Sequence, residues 1–257
     1  MGFQHNKSFG QHFLKQPETA GRIVEALSPL PEQIPILEIG PGLGILTKFL
    51  LQTEHPIYCS EIDHRIIAFL KEKLLMPSDH ILEGDFLRLD IRKYFQQPLA
   101  VIGNFPYNIS SQILFVVLDV MELVPVVVGM FQREMAQRVT ADHGNKDYGI
   151  ISVLIQTWYD TEYLFELPPD AFDPPPKVHS AVIKLRRKQV APDVDPKALK
   201  NVVKTAFNQR RKKLSNALSG IPNAVPVLHQ LNFAGKRAEE LSVSEFLTLT
   251  KAIQAAK

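Results

Sequence analysis

Apolar and polar positions follow two rhythms along the first two-thirds of the chain. Short apolar runs at residues 35–39, 57–61, 80–85, 99–104 and 124–131 read as buried strands. Between them, residues 45–52, 64–75 and 110–120 repeat their apolar positions at helical spacing. Strand–helix alternation of this kind predicts an α/β fold with a doubly wound, mostly parallel sheet. A further helix at 148–157 and strands at 161–167 and 180–186 would bring the sheet to seven strands, or the last two strands form an appended hairpin. Prolines crowd residues 168–176, and a second break at 190–193 marks a domain boundary near residue 190. Beyond it, Asp195-Pro196 resembles an N-cap followed by proline at the first helical position, and Ser242 with Glu245 fits a capping box. The expectation is an α/β domain over residues 1–190 and a small all-α domain over 191–257.

Composition changes this picture little. The chain has 257 residues, 45% of them hydrophobic and 22% charged, which suits one large domain and a small one. Cys59 is the only cysteine, so neither a disulfide framework nor a cysteine-based zinc site is expected, and a reducing cytoplasm is the natural compartment. The first 15 residues carry no apolar core of an export signal. Residues 113–130, the most apolar stretch, are interrupted by Asp119, Glu122 and Pro125, so no membrane segment is expected.

Charge adds more. The net charge of +2 conceals 16 basic and 22 acidic residues up to position 186, against 13 basic and five acidic from 187 onward. A basic C-terminal segment points to a polyanion partner, with a merely solvated basic surface as the alternative. Lys200, Lys204, Arg210, Arg211, Lys212 and Lys213 supply the charge beside Leu199, Val203, Ala206, Leu214 and Leu218 at near-helical spacing. Arg210 and Arg211 suit bidentate phosphate contacts.

The candidate chemistry clusters at predicted strand ends. The first strand runs into Gly40-Pro41-Gly42-Leu43-Gly44, a glycine-rich turn at the sheet edge where doubly wound folds bind ligands. Its spacing matches neither a dinucleotide fingerprint nor a P-loop, which favours a nucleoside cofactor without a pyrophosphate. Glu61 ends the second strand, where a carboxylate can accept from two ribose hydroxyls. Asp85 ends the third, where it can accept from an adenine amino group, and Asn104 ends the fourth. Each acid alone also reads as a helix N-cap or a surface residue; their repetition at successive strand ends is what a nucleoside site requires.

Asn104-Phe105-Pro106-Tyr107 suggests a reaction. The exocyclic amine of adenine is a poor nucleophile because its lone pair is delocalised. Two acceptors, the Asn104 side-chain oxygen and the Phe105 carbonyl, can bind its two hydrogens and aim the lone pair at a sulfonium methyl. Pro106 biases Phe105 toward an extended backbone, and Tyr107 can stack on the base. Taken in isolation, these four residues are an ordinary turn.

These four residues, the turn at 38–44 and the leader Phe9-Gly10-Gln11-His12-Phe13-Leu14 resemble the KsgA/RsmA family of ribosomal RNA adenine dimethyltransferases. Phe172-Asp173-Pro174-Pro175-Pro176-Lys177-Val178-His179-Ser180 resembles that family's second base-contacting loop. Residues 207–214, including Arg210 to Lys213, resemble the C-terminal signature of its small-subunit members. The resemblance implies a Rossmann-like class I methyltransferase fold that uses S-adenosylmethionine and no metal. His12, Leu14, Gly40, Glu61, Asp85 and Asn104 would contact that cofactor, and Tyr107 with Phe172 would sandwich the adenine. His12 stands where the family more often has Asn, and Phe105 where it has Leu. Phe172, flanked by prolines, is expected in an exposed rigid loop, against the alternative of a core plug.

The implied activity is methylation at N6 of two adjacent adenosines near the 3′ end of small-subunit (16S) ribosomal RNA, within an immature 30S particle. A large-subunit adenine methylase and a non-catalytic assembly checkpoint are the alternatives. Nothing in the sequence specifies an oligomer, and a monomer is the expectation.

Overall fold

The structure, a computed structural model, describes residues 12–256. Phe9, Gly10 and Gln11 of the leader, and the export-signal reading of the first residues, fall outside that range. In chain order the elements are β1 (Phe13–Leu14), α1 (Pro17–Glu25), β2 (Ile36–Ile39), α2 (Ile45–Leu50), β3 (Ile57–Glu61), α3 (His64–Lys73), β4 (Ile81–Glu83), α4 (Ile91–Tyr94), β5 (Ala100–Asn104), α5 (Ser110–Asp119) and β6 (Val126–Gln132). They continue with α6 (Arg133–Thr140), α7 (Ile150–Trp158), β7 (Tyr159–Leu167), β8 (Phe172–Asp173), β9 (Ser180–Arg187), α8 (Pro196–Asn208), α9 (Leu214–Ala217), α10 (Ala224–Gln230) and α11 (Val243–Ala255).

Seven strands form one sheet in the order β4-β3-β2-β5-β6-β9-β7. The pairs from β4 through β6 are parallel, and β9 runs antiparallel to β6 from Val126↔Arg186 to Gln132↔Ser180. The last two strands therefore join the main sheet and are not an appended hairpin. Parallel strands covered on both faces favour apolar side chains on both, which is why β6 reads as an apolar run up to Gln132 and β2 as one broken only by Glu38. On one face Ile36, Cys59, Ile102 and Val128 pack with Ala20 and Ile23 of α1, Leu46 and Leu50 of α2, and Ile66 and Leu70 of α3. Leu37, Ile39, Val101 and Val127, one residue out of phase, are buried on the other face.

The chain divides into two compact units, and it crosses between them more than once. The first unit runs to Ala136 and resumes over Glu162–Arg187; the second takes Gln137–Thr161 and the chain from Lys188 onward. The proline-marked break near 190 lies close to the last crossing. Residues 137–161, assigned from sequence to the first domain, group instead with the helical tail. The reason is apolar surface: α7 packs on α8 and α11, and all three helices bury apolar side chains, among them Val153, Leu154 and Ile155 of α7, Leu199 and Val203 of α8, and Leu249 and Ile253 of α11.

The tail is helical and capped as its sequence indicated. Asp195 accepts from the backbone N–H groups of Lys197 and Ala198, and Ser242 with Glu245 forms a capping box. The helical pattern read through residues 195–220 is interrupted, however, and residues 209–213 form a turn between α8 and α9. Six successive polar residues, Asn208 to Lys213, leave no apolar stripe that would hold a helix against a core.

Candidate functional site

The carboxyl ends of β2, β3, β4 and β5 converge on a cavity of about 270 Å³ in the first unit. The turn after β2 forms one wall. Gly40, Gly42 and Gly44 all have positive φ, at +67°, +55° and +74°, in the left-handed region that side chains rarely adopt. At Gly42 close approach adds to this, because a Cβ there would lie 2.8 Å from the ring of Phe13. The leader strand β1 is thereby laid against the turn, and His12 and Leu14 reach the cavity wall.

The strand-end acids occupy distinct environments. Glu61 is buried, and its Oε1 accepts from the backbone N–H groups of Ile62 (2.8 Å) and Asp63 (2.9 Å). Burial pushes its carboxyl above the usual range, although hydrogen bonds from the N–H groups of Asp63, Ile62 and Gly42 oppose that shift. Asp85 lines the cavity and also caps the turn that follows it, accepting from Leu87 N–H at 3.0 Å. The capping and ligand-binding roles weighed for this residue are thus compatible.

Asn104 ends β5 beside Met130 of β6. Its Nδ2 donates to the main-chain carbonyl of His12 at 2.7 Å. A carbonyl only accepts, so this bond fixes which end of the amide is nitrogen and leaves Oδ1 as an acceptor with no partner among the described residues. Phe105 is fully buried, with its ring edge-on to Phe131 at 5.1 Å and its N–H bonded to the Met130 carbonyl (3.2 Å). Anchored on both sides, the Phe105–Pro106 segment lines the cavity with Tyr107. The Tyr107 hydroxyl shares a 2.5 Å hydrogen bond with Ser180 Oγ, and burial raises its pKa. His12 stacks on the Tyr107 ring at 5.5 Å, while its Nδ1 donates to the Pro174 carbonyl at 2.7 Å.

Phe172 departs from expectation. It is fully buried in β8, opposite Leu14 of β1, and packs in the main apolar cluster rather than in the cavity wall. The proline-rich flanks suggested exposure, but pairing with a strand 158 positions earlier covers the side chain. The core-plug alternative describes it in this conformation, and a base sandwiched between Tyr107 and Phe172 would require its side chain to move.

This geometry can be set beside known proteins. The family profile described as "Ribosomal RNA adenine dimethylase" matches residues 2–255. The chain belongs to that family. It is 48% identical to the ribosomal RNA small subunit methyltransferase A of Porphyromonas gingivalis, over 99% of both chains, and 45% identical to that of Phocaeicola vulgatus, over 100% of this chain and 92% of the relative. Among solved structures, it is similar to a dimethyladenosine transferase from Plasmodium falciparum (TM-score 0.81, 25% identity, 93% of this chain and 96% of that one). It is also similar to the 23S rRNA methyltransferase ErmE (TM-score 0.71, 26% identity, 94% of this chain and 99% of that one). The sheet is that of a class I, Rossmann-like methyltransferase, and the family's activity makes the chain an enzyme.

The cavity residues fit a nucleoside cofactor of this family. Glu61 and Asp85 present acceptors at neighbouring strand ends, and the buried Ser60 hydroxyl of the cavity wall has no hydrogen-bond partner among the described residues. An orphaned hydroxyl at that depth is a group a polar ligand would satisfy. The lining residues that the sequence reading did not name as ligand contacts include Glu38, Ser60, Ile62 and Phe86. Ile62 and Phe86 each directly follow a strand-end acid, so an apolar residue after each acid was the available signal. Glu38 was signalled as the one charged position inside a wholly buried strand.

In the second unit the basic run divides. Arg210, half-buried, donates from Nη2 to the carbonyls of Lys146 (2.7 Å) and Asn145 (3.4 Å), with Nε 3.8 Å from Glu239. Arg211, Lys212 and Lys213 are exposed. Arg210, chosen from sequence as a phosphate contact, is engaged within its own unit because its long side chain reaches the 145–146 carbonyls. Among the described residues, no helix is long and apolar enough to cross a membrane.

Proposed function

We propose that this protein transfers methyl groups from S-adenosylmethionine to N6 of two adjacent adenosines near the 3′ end of 16S ribosomal RNA, in an immature 30S particle in the cytoplasm. The observation that carries the reading is the orientation of Asn104. Its amide nitrogen is held by the His12 carbonyl, so Oδ1 is committed to accepting a hydrogen from the amine. The Phe105 carbonyl takes the second hydrogen, and Tyr107 stacks on the base. His12, Leu14, Gly40, Glu61 and Asp85 hold the cofactor, with Glu61 on the ribose hydroxyls and Asp85 on the adenine amine.

Bound S-adenosylmethionine supplies a methyl group already activated on a sulfonium. The protein's task is therefore to orient the amine and exclude water, with no metal and no strong base. The choice of small-subunit RNA is supported by the names of the relatives, and Arg211, Lys212 and Lys213 are suited to phosphate contact. Asn104→Ala is expected to lower methyl transfer to immature 30S particles by about 100-fold or more while cofactor binding persists. Full activity in that variant would remove the amine-orienting role. Labelling of large-subunit RNA alone would transfer the assignment to the 23S class, and full assembly function in a variant unable to bind cofactor would favour a checkpoint.

A further inference from the structure

The cavity floor holds an acidic group to which the transfer chemistry assigns no role. Glu38 lies in the middle of β2, opposite Cys59 of β3 and Ile102 of β5, and only 1% of its surface is exposed. Its Oε2 accepts from Thr47 Oγ1 at 2.6 Å and lies 4.0 Å from the Cys59 thiol. Among the described residues no lysine, arginine or histidine is paired with it. Two buried carboxyl groups, Glu38 and Glu61, thus line one cavity whose described lining contains no lysine or arginine.

We propose that Glu38 is a charge sensor for the cofactor: a neutral acid in the empty site, it gives up its proton when a sulfonium enters the cavity and regains one when the sulfonium has become a thioether. The inference rests on the assignment of this cavity to S-adenosylmethionine. S-adenosylmethionine and its product S-adenosylhomocysteine share the nucleoside and the amino-acid portion and differ by a methyl group and one positive charge at sulfur. Hydrogen bonds at Glu61 and Asp85 are made to parts the two ligands share, whereas the charge of a carboxylate held in a cavity of low polarity acts on the sulfur at which they differ. Carboxylate Glu38 favours the cation, and its neutral form removes that preference.

The surroundings permit the switch. Burial holds the Glu38 carboxyl up at about 7, the proximity of Glu61 adds to this, and the Thr47 hydroxyl opposes it. The titratable groups meeting it are Cys59 and Glu61, both on β3; burial and the two carboxylates keep the Cys59 thiol protonated. Thr47 of α2 and Ile102 of β5 bring no charge. His12, Asp85 and Tyr107 are the other titratable groups of the cavity wall. The protons balance: one leaves Glu38 as the cation binds, the methylated amine releases one, and Glu38 takes one up once the sulfur is neutral.

Calorimetric titration of the whole protein at pH 6 and pH 8, in buffers of different ionisation enthalpy, tests this. At pH 6, S-adenosylmethionine is expected to displace close to one proton and S-adenosylhomocysteine none. The affinity ratio of cofactor to product should rise about tenfold from pH 6 to pH 8. Glu38→Gln should abolish both the proton release and the pH dependence of the ratio. Thr47→Val, which withdraws a bond favouring the carboxylate, should move the midpoint of the ratio to higher pH, and it keeps the test open if Glu38→Gln fails to fold. Equal proton release with both ligands, or undiminished release in Glu38→Gln, overturns the sensor. Failure of S-adenosylmethionine to bind at either pH instead overturns the cofactor assignment.

Discussion

At the scale of single residues, Glu38 also sets how the free protein responds to pH. Its carboxyl titrates near 7 when folded, against an ordinary value of 4.5. Below 4.5 both states hold the proton and nothing is lost; between 4.5 and 7 the unfolded chain releases it while the folded one retains it, so stability falls as pH rises. The loss is complete above 7 and amounts to about 3 kcal/mol. Glu38→Gln is therefore expected to melt close to the parent at pH 4.5 and well above it at pH 8, as thermal unfolding at the two pH values would show. Tyr107 gives a second prediction. Tyr107→Phe keeps the ring and loses only the bond to Ser180, so it should retain most activity. Tyr107→Ala should lose about 5- to 150-fold in single-turnover methyl transfer, the worth of one stacked base.

Which residues were legible from sequence follows from the same scale. Glu61, Asp85 and Asn104 stood out because each closes an apolar run at a sheet edge, a position visible without coordinates. Glu38 was harder to place, since a carboxylate within an apolar strand shows that something is special but not what faces it. Phe172 was misread because its burial depends on β1, and nothing local to its proline-rich neighbourhood encodes that pairing. The carbonyl partners of Arg210 were hidden for a similar reason: they lie at 145–146, far back along the chain.

At the scale of elements, the placement of the amine-orienting residues depends on a close meeting of β5 and β6. The Phe105 ring lies over two glycines, and a Cβ on Gly129 would come within 2.4 Å of it. Gly129→Ala must push that ring aside, and the carbonyl of the same residue with it. Overpacking of this kind costs about 1–3 kcal/mol. Chemical denaturation should register that loss, together with a fall in kcat larger than any change in cofactor affinity. The elements themselves were largely readable, with β3 predicted to the residue and the other sheet strands to within one or two. Apolar periodicity carries that information wherever a face is buried. It failed at residues 209–213, where helical spacing continued on either side of a polar run and concealed the turn.

At the scale of the molecule, the crossings between units decide what can be cut away. A protein ending at residue 190 keeps every strand of the sheet but leaves α7 without α8 and α11, exposing Val153, Leu154 and Ile155. It is expected to aggregate or to expose this segment to protease, and limited proteolysis should cleave within 137–161. A soluble, protease-resistant 1–190 protein would show that the inserted segment needs no partner. Composition and proline breaks could show where the chain loosens; they could not show that it had already left the first unit once and returned.

That return has a consequence during biosynthesis. Translation delivers α7 long before its covering helices, and α11 begins roughly 90 residues later. At ordinary elongation speeds of about 5–20 residues per second, the nascent chain carries an incompletely covered apolar helix for about 5–20 s. For that interval the segment is a target for cellular chaperones.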